Sequence, residues 1–305
     1  MEQNLFERFS RAMPGLEIRR AEPLSRHTSF RIGGPAAVML CPRTETELVS
    51  VLRLCAEWNR KPAILGGGTN VLAPDEGMPL VVCTKGLRDL RRSGDCELTA
   101  QCGVPLPRLA MLACRHSLSG LEFAQGIPGT VGGGLYMNAG AFGGELSQVV
   151  VSARVLESDG SIHTVYAPEM GLGYRRSAFM ERSCLILSAR FRLQPDAQEA
   201  ITARMQEYAA KRRSTQPLDL PSAGSAFKRP AVGFAAKMIQ DSGLKGFRIG
   251  GAAVSEKHAG FVVNLGGATA ADVRQLLEAV RTRVLADTGV LLQPEVRIWT
   301  GEDAK

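Results

Sequence analysis

Apolar residues recur along this chain with two periods. In TETELVSVLRLCAEWN (44–59), Leu48, Val51, Leu52, Cys55 and Trp58 share one face of a 3.6-residue repeat, and Thr44 with Glu47 forms a capping box. An amphipathic helix is predicted there. The short apolar run PAIL and the β-rich PLVVC follow, separated by a glycine loop; ELTAQCG reads as a strand and PLPRLAMLACRHS as a helix opened by proline. ARVLESDGSIHTVY predicts a hairpin turning on the two residues Asp159 and Gly160, and CLILSARFRL another strand. After these come a helix, EAITARMQEYAAKRR, and a Pro/Ser/Gly loop, STQPLDLPSAGS, that reads as a domain boundary. A helix closed by Gly289, TAADVRQLLEAVRTRVLADTG, and a last strand, LLQPEVRIW, complete the pattern. The predicted architecture is α+β in at least two domains, breaking near residues 200–220.

Composition narrows the function without naming it. A chain of 305 residues, 45% hydrophobic and 22% charged, is in the ordinary soluble range and long enough for two cores. No apolar run approaches bilayer length, and MEQNLFERFSRAMPG lacks a signal peptide's apolar stretch, so a cytoplasmic protein without membrane insertion is expected. Cysteines 41, 55, 83, 96, 102, 114 and 184 lie singly, with no CxxC pair, so neither a metal site nor a disulfide framework is expected. The net charge of +7 is spread, its tightest groups being RDLRR (88–92) and KRR (211–213), and no aromatics interleave with them. Nucleic acid is therefore not the expected partner; a polyanionic ligand or a solvated cationic face accounts for the charge as well.

Two glycine-rich loops carry the first chemical signal: GGGTNVL (66–72) and GIPGTVGGGLYMNAGAFGG (126–144). Glycines admit a ligand close to the backbone and let successive N–H groups point at an anion such as a pyrophosphate. The spacing is neither GxGxxG nor GxxxxGK[ST], which excludes the Rossmann fingerprint and the P-loop. A dinucleotide cradled by backbone is the expected ligand. In PSAGSAFKRP (221–230), Ser225 has no neighbouring histidine or aspartate that would make it a nucleophile.

LGGGTNVL, GIPGTVGGGLYMNAGAFGG, GYRRSAF, PSAGSAFKRP, SGLKGFRIGGAAVSEKHAGFVVN and LLQPEVRIW occur in this order, and the ordered set resembles the MurB-type UDP-N-acetylenolpyruvoylglucosamine reductases from about His27 to Trp299. The resemblance implies an FAD-binding domain of the vanillyl-alcohol-oxidase (PCMH) type over residues 1–200, in subdomains of about 1–85 and 86–200, and an α+β substrate domain over 201–305. No insertion matches the tyrosine-bearing loop of one family branch, so the chain resembles the shorter branch. It further implies NADPH-dependent reduction, through FAD, of UDP-N-acetylglucosamine enolpyruvate to UDP-N-acetylmuramate, a step in peptidoglycan precursor synthesis and thus in cell-wall biogenesis, cell shape and division. GGGTNVL holds neither histidine nor cysteine, so the FAD is expected to be non-covalent. The residues implied to hold it are Gly66, Gly67, Gly68, Thr69 and Asn70 of the first loop, and Gly126, Ile127, Pro128, Gly129, Thr130, Gly132, Gly133, Asn138, Ala139 and Gly140 of the second. Ile186 either packs on the isoalloxazine or belongs to a strand core.

Hydride addition to an enol ether develops negative charge toward the carboxylate, which calls for a cation there and for one placed proton source. The resemblance gives these roles to Arg175 (carboxylate clamp), Glu295 (beside the developing enolate) and Ser225 (proton donor). Lys228 or Arg229, close in sequence, is expected to ease loss of the serine proton, and both are expected at the substrate. Taken alone, each is an ordinary residue: a turn hydroxyl, a surface cation, a solvated edge-strand carboxylate. Tyr174 either lines the substrate pocket or packs, and His258 either touches substrate or is structural. Lys211, Arg212 and Arg213 either meet the UDP diphosphate or form a solvated helix end. Arg229 stands where the family pattern has asparagine and Gln293 where it has glutamate; the first bears on how the diphosphate is held. Competing readings are a flavin oxidase of the same superfamily, a silent nucleotide-binding module and a basic nucleic-acid binder. No protein partner is indicated.

Overall fold

The first predicted helix spans Glu45–Glu57. Thr44 caps it by accepting the Glu47 N–H at 3.1 Å, but the Glu47 carboxylate takes the N–H of Arg43 (2.7 Å), so the reciprocal half of the box closes one residue early. Leu48, Val51 and Cys55 are buried, sharing a core with Val38, Leu40, Leu80 and Val82; Leu52 and Trp58 are partly buried against it. In this computed structural model, which describes residues 2–304, those last four residues belong to a mixed sheet in the order Glu17–Pro23, Pro35–Cys41, Met78–Cys83, Ala63–Leu65. Met39, Met78 and Val81 point to the opposite side, into a second cluster with Leu65 and Trp299. Both faces being covered explains why PLVVC is continuously apolar rather than alternating.

Every strand of that sheet ends by residue 83; the next sheet begins at residue 90. It is antiparallel, five-stranded, in the order Ile162–Tyr166, Val150–Glu157, Cys184–Arg192, Glu97–Gln101, Leu90–Gly94. Leu106, Leu109, Ala110 and Ala113 of helix Leu106–Arg115 pack with its inner face, around Phe179 and Phe191. The hairpin turn is wider than expected. Glu157 donates to the Ser161 carbonyl (2.9 Å), Gly160 donates back to Glu157 (3.0 Å) and Gly160 sits at φ 84°, so residues 158–160 form a three-residue loop instead of a two-residue turn.

The third sheet is antiparallel, in the order Ser222–Ser225, Phe261–Asn264, Ala252–Val254, Arg248–Ile249. Helix Ala270–Thr288 packs on it, opened by a Thr269/Asp272 capping box and stopped by Gly289 at φ 71°. Ile201 and Met205 of helix Gln198–Thr215 are buried in the second core, so the helix packs with that unit, and the loop 216–221 follows it. LLQPEVRIW is also less regular than predicted. Only Arg297–Ile298 forms a strand, parallel to Val71–Leu72 of the first unit, while Pro294 bridges to Phe227 of the third. Proline has no N–H for a ladder, and the segment changes partner just after it. Among the described residues no helix is long and apolar enough to cross a membrane, all seven cysteines are free, and no cluster of ligands could hold a metal.

Candidate active site

The two glycine loops meet backbone to backbone. A Cβ on Gly67 would lie 2.8 Å from the Gly129 Cα, and the Thr69 hydroxyl donates to the Pro128 carbonyl at 3.0 Å. Gly68 has φ 69°, and a side chain there would strike the His27 carbonyl at 2.1 Å. The loops line a cavity of about 2010 Å³ between the three units. All the expected cofactor residues but one face it: Gly66, Gly67, Gly68, Thr69, Asn70, Gly126, Ile127, Pro128, Gly129, Thr130, Gly132, Gly133, Ala139, Gly140 and Ile186. Asn138 does not. It is fully buried at φ 43°, donating to Gly173 O (3.0 Å) and accepting the Ser147 N–H (2.9 Å), so it pins the loop from behind.

The donor groups of this cavity suit a pyrophosphate. Among the described residues, the N–H groups of Gly67, Gly68, Thr69 and Gly129 donate to no protein acceptor. The Thr130 hydroxyl and the Arg212 Nε are buried without a partner. Buried donors are seldom left unpaired, and converging ones make an anion-binding concavity. Burial also pulls the Arg212 guanidinium below its usual range, which a bound anion would offset.

Arg175, Ser225 and Glu295 come from three distant segments and line this same cavity. Ser225 ends its strand just after Gly224, whose φ of 80° bends the chain, and its hydroxyl has no hydrogen-bond partner among the described residues. Arg175 is held at φ 53°, a conformation uncommon outside glycine. Its Nε pairs with the Glu295 carboxylate and its second nitrogen reaches the Gly140 carbonyl at 3.4 Å. The Glu295 side chain is only 12% exposed. Burial pushes its carboxyl above the usual range, against the opposing pull of Arg175 and Lys228. Its peptide is held on both sides: its N–H donates to Ala226 O (2.9 Å) and its carbonyl accepts from Asn70 Nδ2 (3.2 Å).

The expected substrate residues divide. Tyr174, half exposed, accepts the Arg229 N–H on its hydroxyl (3.0 Å) and lies 5.1 Å below the Arg175 guanidinium, while Arg229 stacks on Phe234 at 4.3 Å. These contacts bridge the second and third units beside the cavity without lining it. Lys228 is tied by its N–H to Gln293 O (2.8 Å). His258 is outside the cavity: Nδ1 accepts the Gly260 N–H (3.1 Å), the ring stands edge-on to Phe261, and burial lowers its pKa. Arg212 and Arg213 line the cavity, whereas Lys211 faces away and pairs with Glu207 at 2.6 Å. Arg31 and Arg297 also line it and were not expected; Arg297 sits inside a quoted motif, two residues after Glu295.

Backbone donors without protein acceptors, a part-buried arginine–carboxylate pair and an unengaged hydroxyl line one cavity, and the matches that follow give its class, an FAD-dependent oxidoreductase with a PCMH-type FAD domain. Residues 35–166 match the family described as FAD binding domain. Residues 216–299 match the C-terminal domain of UDP-N-acetylenolpyruvoylglucosamine reductase. The reductase of that name from Clostridium perfringens (strain SM101) is 45% identical over 277 residues, covering 90% of this chain and 91% of its own. That from Agathobacter rectalis is 43% identical over 313 residues, covering 98% and 99%. The crystal structure of the Thermus caldophilus UDP-N-acetylenolpyruvylglucosamine reductase (MurB) superposes with a TM-score of 0.81 at 34% identity, covering 93% of this chain and all of that one. The chain belongs to the UDP-N-acetylenolpyruvoylglucosamine reductase family.

Proposed function

We propose that this protein reduces the enolpyruvyl double bond of UDP-N-acetylglucosamine enolpyruvate, giving UDP-N-acetylmuramate, with NADPH as reductant. The observation that carries this reading is the convergence of Arg175, Ser225 and Glu295 on the cavity lined by the glycine loops. Bound FAD supplies the hydride in such a reaction. The two loops would hold its pyrophosphate through the N–H groups of Gly67, Gly68 and Gly129 and the Thr130 hydroxyl, and Ile186, which lines the same cavity, would pack on the isoalloxazine. Arg175 fixes the substrate carboxylate and balances charge as it grows there. Glu295, kept toward its neutral form by burial, donates a hydrogen bond on the other side of that charge. Ser225 delivers a proton to the adjacent carbon from a hydroxyl not engaged elsewhere, and Lys228 sits in the segment that follows it. Arg212, Arg213, Arg31 and Arg297 supply the cations for a nucleotide diphosphate. A reaction on that substrate would belong to peptidoglycan precursor synthesis, in the cytoplasm.

The test is anaerobic. The holoprotein is expected to lose its yellow colour with NADPH and regain it when UDP-N-acetylglucosamine enolpyruvate is added. Recovery only with oxygen would overturn the reading in favour of a flavin oxidase.

A further inference from the structure

We propose that Asn70 is a positioning residue for Glu295: its side-chain amide fixes the peptide that carries the carboxyl, so the cofactor loop sets where the acid stands. The inference rests on the function proposed above. The parallel ladder between the first unit and the C-terminal segment pairs Val71 with Arg297 and Leu72 with Ile298. Arg297 donates to the Asn70 carbonyl (3.0 Å) and Trp299 to that of Leu72 (3.0 Å). Continued one step back, a parallel ladder would have the Asn70 N–H donate to the Glu295 carbonyl. That bond is not made. The Asn70 side chain makes it instead, Nδ2 to Glu295 O at 3.2 Å.

The substitution of side chain for backbone has a consequence. It leaves the Asn70 N–H without a protein acceptor in a residue that lines the cavity, while Glu295 is held from a residue 225 positions away. On its other side the Glu295 peptide is bound to Ala226 O, in the segment that follows Ser225. The acid is thus fixed between the cofactor loop and the proton donor's strand, and among side chains only a carboxamide offers a neutral N–H donor at this length and place.

In Asn70→Ala the Glu295 peptide loses one of its two anchors. Reoxidation of the reduced flavin by UDP-N-acetylglucosamine enolpyruvate should slow by about 10- to 100-fold, the scale of a small misplacement of a reacting group. Measured on the FAD-loaded fraction, reduction by NADPH should slow by less than reoxidation does, so the ratio of the two rates shifts about 10-fold or more. Asn70→Asp keeps the shape, loses the donor and adds a negative charge. The charged groups facing Glu295 from other segments are Arg175 and Lys228. The new carboxylate would oppose them, so the pH midpoint of reoxidation should move upward in Asn70→Asp and stay near wild type in Asn70→Ala. Equal slowing of both half-reactions in the FAD-loaded fraction, or an unmoved midpoint in Asn70→Asp, would overturn the proposal and leave Asn70 a cofactor contact only. If Asn70→Ala is insoluble, Asn70→Ser supplies the same rates. Failure of the wild-type flavin to be reoxidised by this substrate would instead sink the proposed function.

Discussion

The glycine loops and the Arg175–Ser225–Glu295 group share one cavity but are built in opposite ways. The loops are made of backbone: N–H groups of residues that line the cavity have no protein acceptor, and Gly67 and Gly129 touch where a side chain would intrude. The trio is made of side chains carried by three segments that meet only through tertiary structure, and it depends on burial for its electrostatics. A region built of backbone tolerates loss of no glycine at its contact points but has no single chemical group to remove. A region built of side chains can lose its chemistry while its shape survives.

Ser225→Ala is the sharpest way to separate the two. Removing a placed proton donor should slow reoxidation by substrate about 10²- to 10⁴-fold, while NADPH reduces the flavin as before; stopped-flow absorbance reads both steps. Wild-type reoxidation would remove Ser225 from the chemistry. Glu295→Gln should cost about 10²- to 10³-fold in the same step, the scale of one lost charge-stabilising donor. It should also abolish the pH dependence that Glu295 confers. Because its folded-state pKa stands above the unfolded value, the protonated form's contribution to stability and to reoxidation is whole in acid and declines as pH rises through the folded pKa. A pH–rate profile of both proteins checks this.

The backbone side of the comparison is broken by Gly67→Ala. Its methyl meets Gly129 Cα at 2.8 Å, and forced overpacking of this kind costs about 1–3 kcal/mol, so the expected result is a lower melting temperature and FAD lost on gel filtration. A control outside the cavity lining is Thr44→Ala, which removes a helix cap and should cost about 1 kcal/mol in urea unfolding with both half-reactions intact.

The same division explains what was legible in the sequence. Glycine reports a backbone requirement directly, so the cofactor loops stood out from residue type alone, and the exception, Asn138, is a polar residue whose two partners lie elsewhere in the chain. The trio was visible only through the order of the motifs, since nothing near Ser225 or Glu295 announces that they meet. Helix Gln198–Thr215 was predicted, but not the core it joins, because Ile201 and Met205 carry no mark of their partner. The last strand misled because a run of apolar residues around Pro294 serves two different sheets in turn. The Asn70–Glu295 bond replaces a backbone rung with a side chain, which no periodicity records.

The peptide of Glu295 is also bonded to two bodies at once, to Ala226 on one side and Asn70 on the other. If the C-terminal unit swings to admit a nucleotide and both bonds persist, the swing must turn about this point. The fulcrum of a lever travels least. In such a motion the acid would keep its place while the bond between Arg229 and Tyr174 opened.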